Sequence, residues 1–184
     1  MNVQILLLAL VFGLMAAESR VSTRHIELLR QRGAVEPPGD PRLALSIFYV
    51  GGFLLMGAEG IWRAVTEGNA TAPASGTGPA WAVSGAVLFV ASKALKYWAI
   101  GSLGERWSFR VLVLPGVPLV TTGPYRYVAH PNYIAVVGEL VGAAMMFGAK
   151  WTAPVMVPLF GLALWARVRF ETRALRGAFQ QGRS

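Results

Sequence analysis

The chain has 184 residues, enough for one domain, and 54% of them are hydrophobic while only 14% are charged. This balance is typical of membrane proteins. The absence of cysteine excludes disulfides, thiolate metal ligands and cysteine nucleophiles, and two widely separated histidines make us expect no metal. A formal charge of +8 would suit a nucleic-acid partner, unless the distribution of that charge along the chain has another explanation.

The first element is an almost unbroken apolar run from Asn2 to Ala17. It predicts a first membrane span, although about 20 residues are normally needed to cross the hydrocarbon core. A cleaved signal peptide is the alternative, but no positive charge precedes the run. We expect the helix to continue from Glu18 to Arg32 as a basic, amphipathic extension that Gly33 ends.

The second and third spans are predicted over residues 43–65 and 81–100. In the second, Glu59 and Arg63 lie four residues apart on one helix face, so we expect them to pair. In the third, Lys93 and Lys96 lie in the second half, where long basic side chains can extend to the membrane surface.

The fourth and fifth spans are predicted over residues 131–149 and 151–166, joined as a tight hairpin. Glu139 lies within the fourth span, where an ionisable residue marks a pocket or a buried pair. Between the third and fourth spans comes a connection of about 30 residues, and connections this long in a compact domain are usually functional or disordered.

Basic residues cluster in three places, and the connection between the second and third spans has none. They follow the first span, follow the third span and fill the C-terminal tail: Arg20, Arg24, Arg30, Arg32, Arg106, Arg110, Arg126, Arg167, Arg169, Arg173, Arg176 and Arg183. Cytoplasmic segments carry such an excess. We therefore predict one all-α domain over residues 1–184, a multi-pass helical bundle of five transmembrane helices. Its N-terminus is outside, its C-terminus is cytoplasmic, and membrane lipids rather than nucleic acid explain the charge.

The densest run of chemically specific residues is 117–133, V-P-L-V-T-T-G-P-Y-R-Y-V-A-H-P-N-Y. His130 precedes Pro131, which disfavours helical backbone at the histidine and suits the first turn of the following helix. The predicted topology puts this run on the same side as Arg167 and Glu171, so the two segments can meet. The alternative is a non-enzymatic scaffold or transporter subunit whose aromatic residues anchor a loop at the membrane interface.

The run 119–133, followed by R-x-x-x-E-x-x-x-L at 167–175, resembles the isoprenylcysteine carboxyl methyltransferase family. The stretch W-A-I-G-S-L-G-E-R-W-S-F-R-V at 98–111 is also similar to that family, and the likeness covers about residues 95–179. The resemblance implies an integral membrane enzyme that uses S-adenosylmethionine as methyl donor, with a lipophilic small-molecule or prenylated acceptor arriving from the bilayer.

The resemblance also implies roles for individual residues. It assigns Arg167 to the substrate, and we therefore predict Arg167 as the catalytic residue. Glu139 is a further candidate for the substrate pocket because of its position within the fourth span, and not because of the resemblance. Ala129 and Thr172 depart from the family pattern, which has Arg and Glu there, so the acceptor can differ from the family's. The residues implied to bind the cofactor are Val117, Pro118, Leu119, Val120, Tyr125, His130, Pro131, Asn132, Tyr133 and Glu171.

Methyl transfer from a sulfonium requires an aligned and closely held nucleophile. A carboxylate acceptor is already ionised and needs no base, and Arg167 could orient it by a paired hydrogen bond. A phenol or enol acceptor must lose a proton, for which His130 or Glu139 are candidates. Both kinds of acceptor remain open at this point.

Overall fold

The computed structural model describes residues 3–66 and 78–181, with side chains described as far as 175. It contains five α-helices and two short 3-10 turns, which run over Gly104–Arg106 and Gly123–Arg126. The only β-type contact in these residues is an isolated bridge between Val35 and Val113. The helices are α1 Val3–Gln31, α2 Arg42–Thr66, α3 Pro79–Leu103, α4 Pro131–Phe147 and α5 Ala153–Gln181.

Four of these helices, all except α4, are long and apolar enough to cross a membrane. The remaining helix, α4, is apolar but has 17 residues, which is a length of about 25 Å against a hydrocarbon core of about 30 Å. The predicted all-α, polytopic membrane fold is therefore confirmed. The connection without basic residues lies largely outside the described residues, and the orientation of the termini stays a prediction.

The helices alternate in direction, so the bundle has two distinct ends. At one end, Gly60 of α2 lies against the Phe147 carbonyl of α4 and the Gln4 side chain of α1. We call this the turn end, because the α4–α5 connection lies there. The opposite end gathers the C-terminal part of α1, residues 104–130 and the C-terminal half of α5, and we call it the site end.

At the turn end, Glu59 and Arg63 hold the α4–α5 connection. The Glu59 carboxylate accepts the backbone N–H groups of Trp151 and Thr152 at 3.0 and 2.8 Å. Arg63 donates to the Gly148 carbonyl at 2.8 Å. Gly148 closes α4 with a left-handed conformation (φ 62°). An anion thus sits at the start of α5 and a cation at the end of α4, as the helix dipoles favour.

Helices α3 and α4 approach each other most closely because glycines line their contact. A Cβ atom at Gly142 would collide with the backbone of Gly85 and Phe89. Small residues commonly permit this approach between membrane helices. The apolar core on the other face of α4 joins α2 and α5 through fully buried Phe53, Leu140 and Phe160.

The prediction that Lys93 and Lys96 extend to the membrane surface is wrong. Both side chains are buried, and each ammonium group lies 2.6 Å from an oxygen of Glu18. Glu139 lies on the other side, 3.0 Å from Lys93 and 3.4 Å from Lys96. Two acidic partners on neighbouring helices make an inward position favourable, since buried charges must be paired. We call these four residues the buried charge cluster.

The extension of α1 is one continuous helix with the first predicted span, and Gly33 (φ 81°) follows its end. Within it, Glu18 and Ser22 are buried, at 4% and 1% exposure. The extension therefore packs against the rest of the protein on one face and presents its arginines on the other.

Candidate functional site

The first half of the site lies at the start of α4, where neighbouring residues in the sequence set the backbone conformation. His130 has an extended φ of −133° just before the helix, and buried Pro131 occupies its first turn. Tyr133 donates its backbone N–H to the His130 carbonyl at 3.1 Å. The imidazole and phenol rings consequently stack, with centroids 5.5 Å apart and planes 28° from parallel.

The end of α5 supplies the second half. The Tyr133 hydroxyl donates to one oxygen of Glu171, and the other oxygen of Glu171 lies 3.9 Å from His130 Nδ1. The opposite ring nitrogen, His130 Nε2, lies 3.2 Å from the Thr172 hydroxyl. The predicted meeting of the H-P-N-Y segment with the tail of the last helix is therefore confirmed.

Arg167 lies one turn before Glu171 and is held from three directions. Its Nε donates to the Tyr133 hydroxyl at 3.2 Å, one terminal nitrogen donates to the Phe109 carbonyl at 2.8 Å, and the other pairs with Asp40. The residue is only 3% exposed. Sequence reasoning missed both Asp40 and the Phe109 carbonyl.

Asp40 belongs to the break between α1 and α2. One of its oxygens, Oδ1, also accepts the backbone N–H of Arg42 at 3.0 Å, at the first residue of α2. The available signal was an aspartate two residues before a helical pattern, which is typical of a residue that caps a helix start. Nothing in that pattern indicates an arginine 127 residues further along the chain.

The long connection is anchored to α1, and this anchoring positions the Phe109 carbonyl. Ser22 Oγ accepts the Phe109 N–H at 2.8 Å, on the face of α1 that is buried. His25 Nδ1 lies 2.8 Å from the Trp107 carbonyl. His25 is thus a half-buried anchor of the connection.

A second anchor joins the connection to the break after α1. Arg110 lies 2.9 and 3.0 Å from the two oxygens of Glu36, and Arg30 lies 3.1 Å from the same carboxylate. Burial by itself raises the pKa of Glu36, but the hydrogen bonds and charges of Arg110 and Arg30 outweigh it and hold the pKa below the usual value.

Tyr125 lies near the Tyr133–Glu171 pair. Burial of its ring, followed by the nearby negative charge of Glu171, raises the pKa of Tyr125. Its neighbour Tyr127 is 72% exposed. Tyr125, and not Tyr127, is therefore the tyrosine of this segment that lies at the site.

Residues 117–120 occupy a different position from the rest of the predicted site. Val117, Pro118 and Leu119 are exposed and Val120 is half-buried. Arg106 donates to the Pro118 carbonyl at 2.8 Å. Among the described residues, no hydrogen bond joins this segment to His130, Tyr133 or Glu171.

Two further predicted residues have unusual surroundings. Asn132 Oδ1 is buried and has no hydrogen-bond partner in the described ranges. Glu139 belongs to the buried charge cluster and accepts a hydrogen bond from Tyr49. It lies six residues further along α4 than Tyr133, a rise of about 9 Å.

The candidate site combines one carboxylate with imidazole and phenol rings. Across residues 3–66 and 78–181 there is no group of three or more His, Cys, Asp or Glu side chains that could hold a metal ion. Glu171, 25% exposed, instead lies among the aromatic rings of His130, Tyr133 and Tyr125. A carboxylate together with aromatic rings can bind an organic cation such as an ammonium group.

Comparison with known proteins agrees with this geometry. The chain is 29% identical over 171 residues to the Bacillus subtilis (strain 168) protein "Uncharacterized protein YpbQ", covering 93% of this chain and 95% of that one. It is 26% identical over 160 residues to a Haemophilus influenzae "Uncharacterized protein", covering 86% and 87%. No solved structure matches. Residues 85–177, which include both halves of the site, match the family described as "Isoprenylcysteine carboxyl methyltransferase (ICMT) family". The chain belongs to the isoprenylcysteine carboxyl methyltransferase family.

Proposed function

We propose that the protein is an S-adenosylmethionine-dependent methyltransferase that transfers a methyl group to an oxygen of a lipophilic acceptor. The observation that carries the proposal is the junction of α4 and α5, where Tyr133 bridges Arg167 and Glu171. Both sides of this junction lie inside the family match. S-adenosylmethionine supplies an electrophilic methyl group on a sulfonium.

The methyl donor is proposed to lie between the start of α4 and Glu171. Glu171 would accept hydrogen bonds from its ammonium group or ribose hydroxyls, and the Tyr125 and Tyr133 rings would face the adenine or the sulfonium. The partnerless Asn132 Oδ1 offers a further acceptor. The other proposed cofactor contacts are Val117, Pro118, Leu119, Val120, His130 and Pro131.

Arg167 is the proposed catalytic residue, because it would orient the acceptor oxygen. The contacts with Tyr133 and the Phe109 carbonyl fix the plane of the guanidinium group. The N–H groups that these contacts do not use therefore have fixed positions as well. Accurate orientation of the nucleophile is the main requirement of this reaction. Glu139, in the middle of α4, is proposed to line the acceptor pocket.

The acceptor is proposed to enter from the bilayer between helices. The site end combines polar residues with four long apolar helices whose outer faces are exposed in the monomer. A lipophilic small molecule or a prenylated compound fits such an approach. We propose the cytoplasmic side for this end, because the basic residues of the chain concentrate there.

Calorimetric titration of the detergent-solubilised protein with S-adenosylhomocysteine tests the proposal. We expect saturable binding by the wild-type protein and at least a tenfold weaker affinity for Glu171→Ala and Tyr125→Ala. Matched controls are Glu27→Ala, an exposed carboxylate on α1, and Tyr127→Ala, the exposed tyrosine next to the 3-10 turn. Both controls should bind like the wild type.

Absence of binding by a folded wild-type protein would contradict the proposal. Equal losses in the site variants and in the matched controls would contradict it as well, since they would show that the affinity does not depend on the α4–α5 junction.

A further inference from the structure

Asp40 presents a carboxylate of which only one oxygen is used. Its side chain is 6% exposed. Oδ1 contacts both Arg167 and the backbone N–H of Arg42. Oδ2 is buried and has no hydrogen-bond partner in the described part of the chain. A buried acceptor left without a donor is energetically unfavourable, and such an atom often marks a functional position.

The position of Asp40 relative to Arg167 indicates which ligand would supply the missing donor. The hydrogen bonds run in the order Asp40, Arg167, Tyr133 and Glu171. Glu171 forms the end of this row that we assign to the methyl donor. Asp40 forms the other end, beside the terminal nitrogens of Arg167, where the acceptor oxygen is proposed to lie. The inference therefore rests on the proposed function.

The charges at this end favour a particular acceptor. Asp40 already neutralises Arg167, which leaves no excess positive charge to attract an anion. A carboxylate acceptor would approach the partnerless Asp40 Oδ2 and be repelled by it. A hydroxyl acceptor would instead donate its hydrogen to that oxygen.

We propose that Asp40 is a catalytic base and that the acceptor is a lipophilic phenol or enol. The acceptor O–H donates to Oδ2 while Arg167 holds the acceptor oxygen from the other side. The oxygen forms a bond to the methyl carbon, the carbon–sulfur bond breaks, and its electron pair stays on sulfur. The acceptor proton passes to Asp40, which becomes a neutral carboxylic acid and later returns the proton to water.

Two probes of similar apolar length distinguish the acceptor classes: 4-dodecylphenol and dodecanoic acid. We expect the wild-type protein, with S-adenosylmethionine present, to methylate the phenol at least tenfold faster than the acid. In calorimetry on the protein loaded with S-adenosylhomocysteine, the phenol should also bind at least tenfold more tightly. Equal or reversed preference would overturn the proposal.

The variant Asp40→Asn keeps an oxygen that can cap α2 but removes the negative charge. We expect kcat for 4-dodecylphenol to fall at least a hundredfold and phenol binding to weaken, while affinity for S-adenosylhomocysteine stays within twofold. The control Glu27→Gln should match the wild type in all three measurements. Should Asp40→Asn fail to fold, the preference of the wild type between the two probes still decides whether the acceptor is a phenol or a carboxylate.

The outcomes separate this inference from the proposed function. If S-adenosylhomocysteine does not bind the wild type, the proposed function fails. If it binds and Asp40→Asn weakens that binding while phenol binding persists, then Oδ2 faces the ammonium of the methyl donor and the assignment of Asp40 as base is overturned. Unchanged phenol turnover in the folded variant would overturn it too.

Discussion

Two polar clusters lie within the apolar bundle, and they differ in charge balance. The buried charge cluster has two lysines and two glutamates, and all four side chains are at most 8% exposed. The row from Asp40 to Glu171 has one arginine and two carboxylates, and Glu171 is 25% exposed. The first cluster is balanced and closed, whereas the second has excess negative charge and opens toward solvent.

This difference fits a structural role for the first cluster and the proposed binding role for the second. A balanced, closed cluster joins α1, α3 and α4 and leaves no net charge for the methyl donor. An unbalanced cluster with partnerless oxygens at Asp40 and Asn132 suits a ligand that brings positive charge and hydrogen-bond donors. S-adenosylmethionine has both properties.

The largest effect on stability is expected for the replacement of Lys96. Replacing it by methionine leaves Glu18 and Glu139 with one shared counter-ion, Lys93, in a buried setting. Breaking a buried pair in this way typically costs about 3–5 kcal/mol. We therefore expect a large drop in the thermal unfolding temperature in detergent.

The double variant Glu18→Gln/Lys96→Met restores the charge balance and should recover part of the lost stability. If Lys96→Met unfolds like the wild type, or if its folded fraction loses S-adenosylhomocysteine binding, the structural role of the cluster is wrong.

An intermediate effect is expected for Arg167→Lys. Lysine keeps the charge but cannot contact Asp40, Tyr133 and the Phe109 carbonyl together. Because displacement of about 1 Å at a reacting centre can cost about a hundredfold in rate, we expect kcat for the acceptor to fall by about that factor. Affinity for S-adenosylhomocysteine should change less than threefold.

The matched control is Arg169→Lys on the same helix, whose side chain packs on Trp165 rather than in the site. A comparable loss of kcat in both variants would show that Arg167 has no special part in the site.

The smallest effect on stability is expected at Glu36, the carboxylate that contacts Arg110 and Arg30. Its pKa is lowered in the folded protein, so it contributes stability that is present above the unfolded pKa of about 4.3. That stability is lost as the pH falls through the lower folded value. Because the pair is partly exposed, we expect a contribution of about 1 kcal/mol or less.

Thermal unfolding of wild type and Glu36→Gln between pH 7 and pH 3 checks this sign. The two curves should converge as the pH falls. A difference that grows toward acid pH would contradict the assignment of Glu36 as a carboxylate held by Arg110 and Arg30.

The helices could be predicted from the sequence, and so could the two polar segments that meet at the site. Apolar runs and glycine or proline at their ends indicate where helices begin and end, and Gly33 and Pro131 lie where α1 ends and α4 begins. The H-P-N-Y and R-x-x-x-E segments were recognisable because each is local, and alternating helix directions bring them to one end.

The remaining features depend on contacts between residues far apart in the chain. Lys93 was expected at the surface because its partner Glu18 is 75 residues away on another helix. The Phe109 carbonyl reaches Arg167 because the long connection is fastened to the buried face of α1, and Asp40 reaches Arg167 from the break between α1 and α2. Helical periodicity carries no information about such pairings.

Hydrogen–deuterium exchange with and without S-adenosylhomocysteine tests the central claim most directly, because it shows which segments the ligand protects. We predict that residues 125–133 and 167–175 become protected together, while the turn end around residues 148–152 is unchanged. Protection of only one of the two segments, or protection confined to the turn end, would contradict a methyl-donor site formed jointly by the start of α4 and the end of α5.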